Sequence, residues 1–152
     1  MLIRLISFIT IFFMFGCSTF NKKELSNQER FERGENYFLK NKFQKAKTEF
    51  EFIIQEDQGT NLSLESTLYL AKTLFELKNY EEASYNFNYY SMFSKDINNI
   101  EFAQFMKCKC SFEMTKPYNN DQSDSFLCIS VIQEFIDNFS YSIYVDDAYD
   151  MV

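Results

Sequence analysis

The chain contains no histidine, one proline and three glycines among its 152 residues. Without histidine, the usual general base and the commonest metal ligand are both missing. Fifteen Lys and Arg stand against 22 Asp and Glu, a formal net charge of −7, with no basic cluster. That balance disfavours a nucleic-acid partner, which needs a concentrated positive patch. The scarcity of Ala, Gly and Pro accompanies an abundance of Phe, Asn, Lys, Ile and Tyr, the pattern of an A+T-rich coding bias. A missing Pro or Ala at a motif position therefore counts for little. The expectation is a protein that works by binding, with no enzymatic activity, no metal and no cofactor.

What is present is a repeat. The stretch from Arg30 to Phe50, RFERGENYFLKNKFQKAKTEF, reads as two amphipathic helices joined by a tight turn at Asn41-Lys42. Gly34 in the first helix and Ala46 in the second are small enough to let the pair approach closely, with aromatics beside the contact. Gly34, Ala71 and Cys108 then fall 37 residues apart, each followed four positions on by an aromatic: Phe38, Phe75 and Phe112. Ala46 and Ala83, Phe43 and Tyr80, and Phe50 and Phe87 share that spacing. A third copy of the second helix fits at Cys128 and Ile132, 45 residues beyond Ala83, after a lengthened loop. A fixed period of about 20–50 residues marks a solenoid, and helix-turn-helix units of about 34 mark the tetratricopeptide repeat (TPR).

The spacing predicts an all-α solenoid of about three such hairpins and the start of a fourth, over residues 27–60, 63–97, 100–139 and from 143. Ser63 is expected to cap the first helix of the second repeat, and the third first-helix to begin at Ile100. Pro117 and Asn119-Asn120 stop that helix in a long loop. The last residues, Ile143 to Val152, read as a helix just begun, so the chain is expected to stop inside a longer protein.

The N-terminus is of another kind. In MLIRLISFITIFFMFGC a single Arg precedes an apolar run from Leu5 to Phe15, too short to span a bilayer comfortably and suited to a secretory signal. Gly16-Cys17 ends it. This resembles the bacterial lipoprotein signal: residues 1–16 would be removed and Cys17, acylated, would become the mature N-terminus. Residues 17–26 would then be the lipidated cysteine and a polar tether, several acyl chains giving a stable hold on the bilayer. By the same resemblance, Ser18 after the cysteine favours the outer membrane, facing the periplasm.

Three segments go beyond a generic TPR: LYLAKTLFELKNYEEASYNFNYY (68–90), EFAQFMKCKCSFEMTKPYNNDQSDSF (101–126) and VIQEFIDNFSYSIYVDDA (131–148). With the signal and Cys17 they resemble BamD, the TPR lipoprotein family of the outer-membrane β-barrel assembly machinery, closest to its Bacteroidetes-type forms. The distinctive parts are Tyr118…Asp121-Gln122 and the segment from Phe135 to Val145. The likeness covers nearly the whole chain and the N-terminal half or so of a full-length member. Ser94 and Ser140 depart from it, standing where the family usually has Pro. The resemblance implies a scaffold that holds the barrel-forming subunit and receives unfolded outer-membrane proteins. The alternative is another periplasmic TPR lipoprotein, an adaptor for cell-wall synthesis or envelope organisation.

In a TPR superhelix the first helices line the concave face. The register places Phe31, Glu35 and Phe38 there, then Leu68, Lys72 and Phe75, then Phe105, Lys109 and Phe112. Such a groove suits an extended, aromatic-ended segment; the same aromatics also suit inter-repeat core. Cys108 and Cys128 hold the two positions where the helices of a hairpin touch. Two readings stay open for them: a disulfide closing the third repeat in an oxidising compartment, or two buried free thiols acting as small apolar fillers. Cys108 and Cys110 point to different sides of one helix, unlike a zinc hairpin. Asp146, Asp147 and Asp150 read as the exposed face of the next helix.

Overall fold

A computed structural model describes residues 24–115 and 122–152. The signal segment, Cys17, the tether up to residue 23 and the loop with Tyr118 and Asp121 lie outside the described residues. Among the described residues seven helices follow one another: α1 Asn27–Leu39, α2 Phe43–Glu56, α3 Asn61–Glu76, α4 Tyr80–Phe93, α5 Ile97–Thr115, α6 Gln122–Asn138 and α7 Val145–Tyr149. Each packs on the next, and α1 also touches α3. This is a TPR-like solenoid of three helical hairpins, with α7 opening a fourth.

The repeat is visible in backbone detail. Asn41 and Lys78, 37 apart, are the two non-glycine residues with positive φ among the described residues, at 56° and 61°. Around each the bonds are the same. Asn41 N–H donates to the Phe38 carbonyl and Lys42 N–H to Tyr37; Lys78 N–H donates to Phe75 and Asn79 N–H to Leu74. That pair of bonds is the Schellman motif, which satisfies helix-end carbonyls and reverses the chain in two or three residues.

Two helix starts differ from expectation. Thr60, not Ser63, caps α3: its hydroxyl accepts from Ser63 N–H at 3.1 Å, while Ser63 itself is buried. Gly59, at φ +78°, turns the chain so that Thr60 arrives extended, and the helix starts three residues early. Likewise α5 begins at Ile97 because the Asp96 carboxylate accepts from the backbone N–H of Asn98 and Asn99. At α1, Ser26 and Glu29 form a reciprocal capping box.

Small residues sit at the hairpin crossings. A Cβ on Gly34 would lie 2.7 Å from Cε1 of the Phe50 ring, so only glycine allows that ring its place. Ala46, Ala71 and Ala83 are fully buried, as are Phe50 and Phe87, each ring contributing about 1.5–3 kcal/mol by burial. The interior divides at α5. Ala103, Met106 and Cys110 join the core of the first two repeats, whereas Phe105 and Cys108 join Cys128, Ile132, Phe135, Ile136 and Ala148 in a second core. The two cysteines of Cys108-x-Cys110 thus face opposite ways.

Of the two alternatives the sequence leaves for Cys108 and Cys128, the structure has the second: Cys108, Cys110 and Cys128 are free, buried thiols. Cys108 Sγ instead donates to the Val131 carbonyl of α6 at 3.5 Å. Burial pushes both the Cys108 and Cys110 thiols up to about 12 and raises that of Cys128. They are apolar fillers of a helix contact, not reactive groups.

Candidate binding face

The first helix of each hairpin presents one row of side chains, with Glu35, Lys72 and Lys109 in register. Lys72 Nζ lies 4.8 Å from the Tyr69 ring centre on its own helix and 5.0 Å from that of Phe102 on α5. Lys109 Nζ lies 5.6 Å from Phe75 on α3 and 5.8 Å from Phe105 below it. Each lysine therefore bridges two successive first helices over aromatic faces, a cation–π arrangement that also holds the neighbouring repeats in line. Burial lowers the pKa of Lys72, opposed by the charges of Glu65 and Glu35. Burial and a hydrogen bond to Glu35 push the Tyr69 phenol up to about 12. Glu35, Tyr69, Lys72 and Glu65 thus form a polar line on an aromatic bed.

The remaining residues expected on this face divide. Leu68, 2% exposed, and Phe105, 5% exposed, are core and offer nothing to a ligand. Phe105 is covered by Tyr144, stacked at 4.6 Å and 10°, a contact from the segment after α6 that a 37-residue register does not include. Phe31 and Phe38 pack edge-on to Tyr69 at 5.3 and 6.3 Å, and Phe75 edge-on to Tyr80 at 5.3 Å. These three, with Phe112, are half-buried: Phe31 and Phe38 pack between repeats, Phe75 within its own hairpin, and Phe112 against the core of the third. A small hollow of about 190 Å³ lies between α5 and α7, with Phe105, Lys109 and Phe112 on one side and Asp147 and Asp150 on the other. The aspartates are exposed, as the sequence suggests. The face can hold a segment by stacking and charge. Among the described residues no group of His, Cys, Asp and Glu is placed to hold a metal ion.

The larger cleft lies elsewhere. About 760 Å³ opens between α2 and α4, floored by Ser63, Leu64 and Thr67 of α3 and walled by Ile54, Tyr85, Tyr89 and Phe93. From Leu64 to Tyr69, or Thr67 to Lys72, is five residues, about 140° round the helix, so the cleft opens away from the lysine row. Its signal was available as aromatics at Tyr85, Tyr89 and Phe93, four apart along one helix face. No family model matches the chain, and no curated protein matches it.

Proposed function

We propose that the chain is a non-catalytic lipoprotein scaffold of the outer-membrane β-barrel assembly complex. Acylated Cys17 anchors it to the periplasmic side of that membrane. Its first-helix face receives unfolded outer-membrane proteins, and the solenoid holds the barrel-forming subunit. The observation that carries this reading is the row of Lys72 and Lys109 between aromatic rings of successive repeats. An aromatic-ended extended segment would lay its rings beside Tyr69, Phe75 and Phe102, and a terminal carboxylate or backbone carbonyls against the ammonium groups. Because the helices are stacked before the partner arrives, little ordering entropy is lost on docking. Support also comes from the apolar run ending in Gly16-Cys17 and from the three segments that resemble the BamD family. No described helix is long and apolar enough to cross a membrane, and this reading needs none.

The test is affinity purification of the full-length lipoprotein from detergent-solubilised envelopes, read by mass spectrometry. Co-purification of the barrel-forming subunit is the expected result, with recovery of unfolded outer-membrane proteins reduced by Lys72→Glu with Lys109→Glu. Recovery of cell-wall synthases without that subunit discards the assembly role in favour of a cell-wall adaptor.

A further inference from the structure

We propose that the cleft between α2 and α4 is a second docking site, taking a basic amphipathic helix from a partner protein. It is independent of the lysine-lined face and lies on another side of α3. The repeat supplies its own control. Tyr85, Tyr89 and Phe93 correspond to Thr48, Phe52 and Glu56 in the first repeat and to Ser130, Glu134 and Asn138 in the third. A stripe needed for stacking hairpins would recur, and this one does not. In the first repeat the one aromatic of the three, Phe52, is covered by the Arg30 guanidinium 3.8 Å above its ring. In the second repeat Tyr85, Tyr89 and Phe93 are left 68%, 42% and 57% exposed, over the partly buried Ile54 and Leu64.

The shape selects a helix. α2 and α4 each pack on α3 and flank the cleft, leaving a trough that a fourth helix would fill as a ridge fills a groove. Apart from the Gln58-Gly59-Thr60 turn at one end, the walls and floor are helical, so their backbone groups are already paired. An extended segment laid there would leave its own N–H and C=O groups without partners, whereas a helix brings its bonds with it. Thr67 at the floor has its hydroxyl bound to the Ser63 carbonyl at 3.0 Å. Asn61 at the margin can make polar contacts, as can the side-chain carbonyl of Asn86, whose amide N–H donates to the Glu82 carbonyl at 2.8 Å.

Charge selects a basic one. No charged side chain of either sign lines the cleft itself. Glu51 and Glu82 stand one helical turn before the wall residues Ile54 and Tyr85, joined by Lys47 at 3.5 and 3.6 Å. The chain from residue 48 onward is acidic, with 18 Asp and Glu against 6 Lys. A helix with apolar anchors at i, i+4 and i+7 flanked by Lys or Arg would bury its stripe on the aromatics and meet Glu51 and Glu82 with opposite charge.

The test uses the full-length chain in zwitterionic detergent and two synthetic helical peptides of about five turns. Both carry one leucine stripe; one is flanked by lysines, its twin by glutamates. Fluorescence anisotropy, corrected for partition into empty micelles, is expected to show the basic peptide binding at least about tenfold tighter. Tyr85→Ser with Tyr89→Ser is expected to abolish that preference, while Tyr141→Ser, removing a fully exposed tyrosine elsewhere, leaves it intact. Helical circular dichroism checks that each variant folds. Glu51→Lys with Glu82→Lys, which leaves the aromatics alone, is expected to reverse the preference. Equal affinity for the twins, or affinity indifferent to Tyr85 and Tyr89, overturns the proposal. So does concentration-dependent dimerisation that the tyrosine variant removes, which assigns the cleft to a second copy.

Discussion

In the first two repeats the hairpins cross at Gly34 against Phe50 and at Ala71 in a core with Phe87; in the third, Cys108 meets the α6 backbone at Val131 beside Ile132. The crossing is kept while the atoms change. The ring of Phe50 demands glycine opposite, whereas a branched aliphatic at Ile132 leaves room for a thiol. The turns change too. Asn41 and Lys78 close the first two hairpins in the left-handed conformation, and the third uses a longer loop. The exposed aliphatic and aromatic surface on α6, with Phe126 at 70% and Leu127 at 64%, belongs to this third unit. Small-to-large complementarity at the crossing, rather than any particular residue, is what makes the repeat.

That difference can be broken most severely in the two cores. Phe87→Ala is expected to cost about 3–5 kcal/mol and Ile132→Ala about 2–5. Hydrogen exchange should show Phe87→Ala loosening α1 to α5 together and Ile132→Ala loosening mainly α6 and α7. Equal loosening of all helices by Ile132→Ala would mean that the two cores are one cooperative unit.

Next come the crossings themselves. Gly34→Leu drives a side chain into the Phe50 ring and should cost about 1–3 kcal/mol, or more if the ring cannot move. Cys108→Ala leaves its neighbours in place and should cost about 1 kcal/mol. Thermal unfolding of the two variants measures the contrast directly.

Titration sharpens the comparison in the third repeat. The Cys108 and Cys110 thiols sit near 12 when folded, above the ordinary thiol value of 9.0. Between those values the unfolded chain has lost protons that the folded one keeps. Their contribution is present below about pH 9 and is lost as pH rises toward 12. Thermal midpoints from pH 8 upward should therefore fall more steeply for the parent chain than for Cys108→Ala with Cys110→Ala. The smallest effect is at the turn: Lys78→Gly removes the strain of a left-handed lysine and should stabilise by about 1 kcal/mol or less. Asn41→Gly should gain less, since asparagine tolerates that conformation.

Much of the fold was legible because small residues and aromatics recur at one spacing. The described helices pair into hairpins over the stretches that the spacing marks out, the first beginning at Asn27. What the spacing does not encode is local chemistry between copies. Thr60 and Ser63 both have the hydroxyl a cap needs, and the Gly59 turn decides between them. The candidate face was half legible: register alone aligns Glu35, Lys72 and Lys109. Burial of Phe105 depends on Tyr144, from a segment outside the period. The α2–α4 cleft was missed for the converse reason, since attention to what recurs passes over a stripe present in one copy.

The most direct test of the proposed role is photo-crosslinking in the native envelope from a reactive residue placed at Lys109 or Lys72. The account predicts crosslinks to unfolded outer-membrane proteins or the barrel-forming subunit, with none from the same group at Tyr141. Crosslinks at 109 and 72 to cell-wall synthases alone, or to neither class, would contradict it.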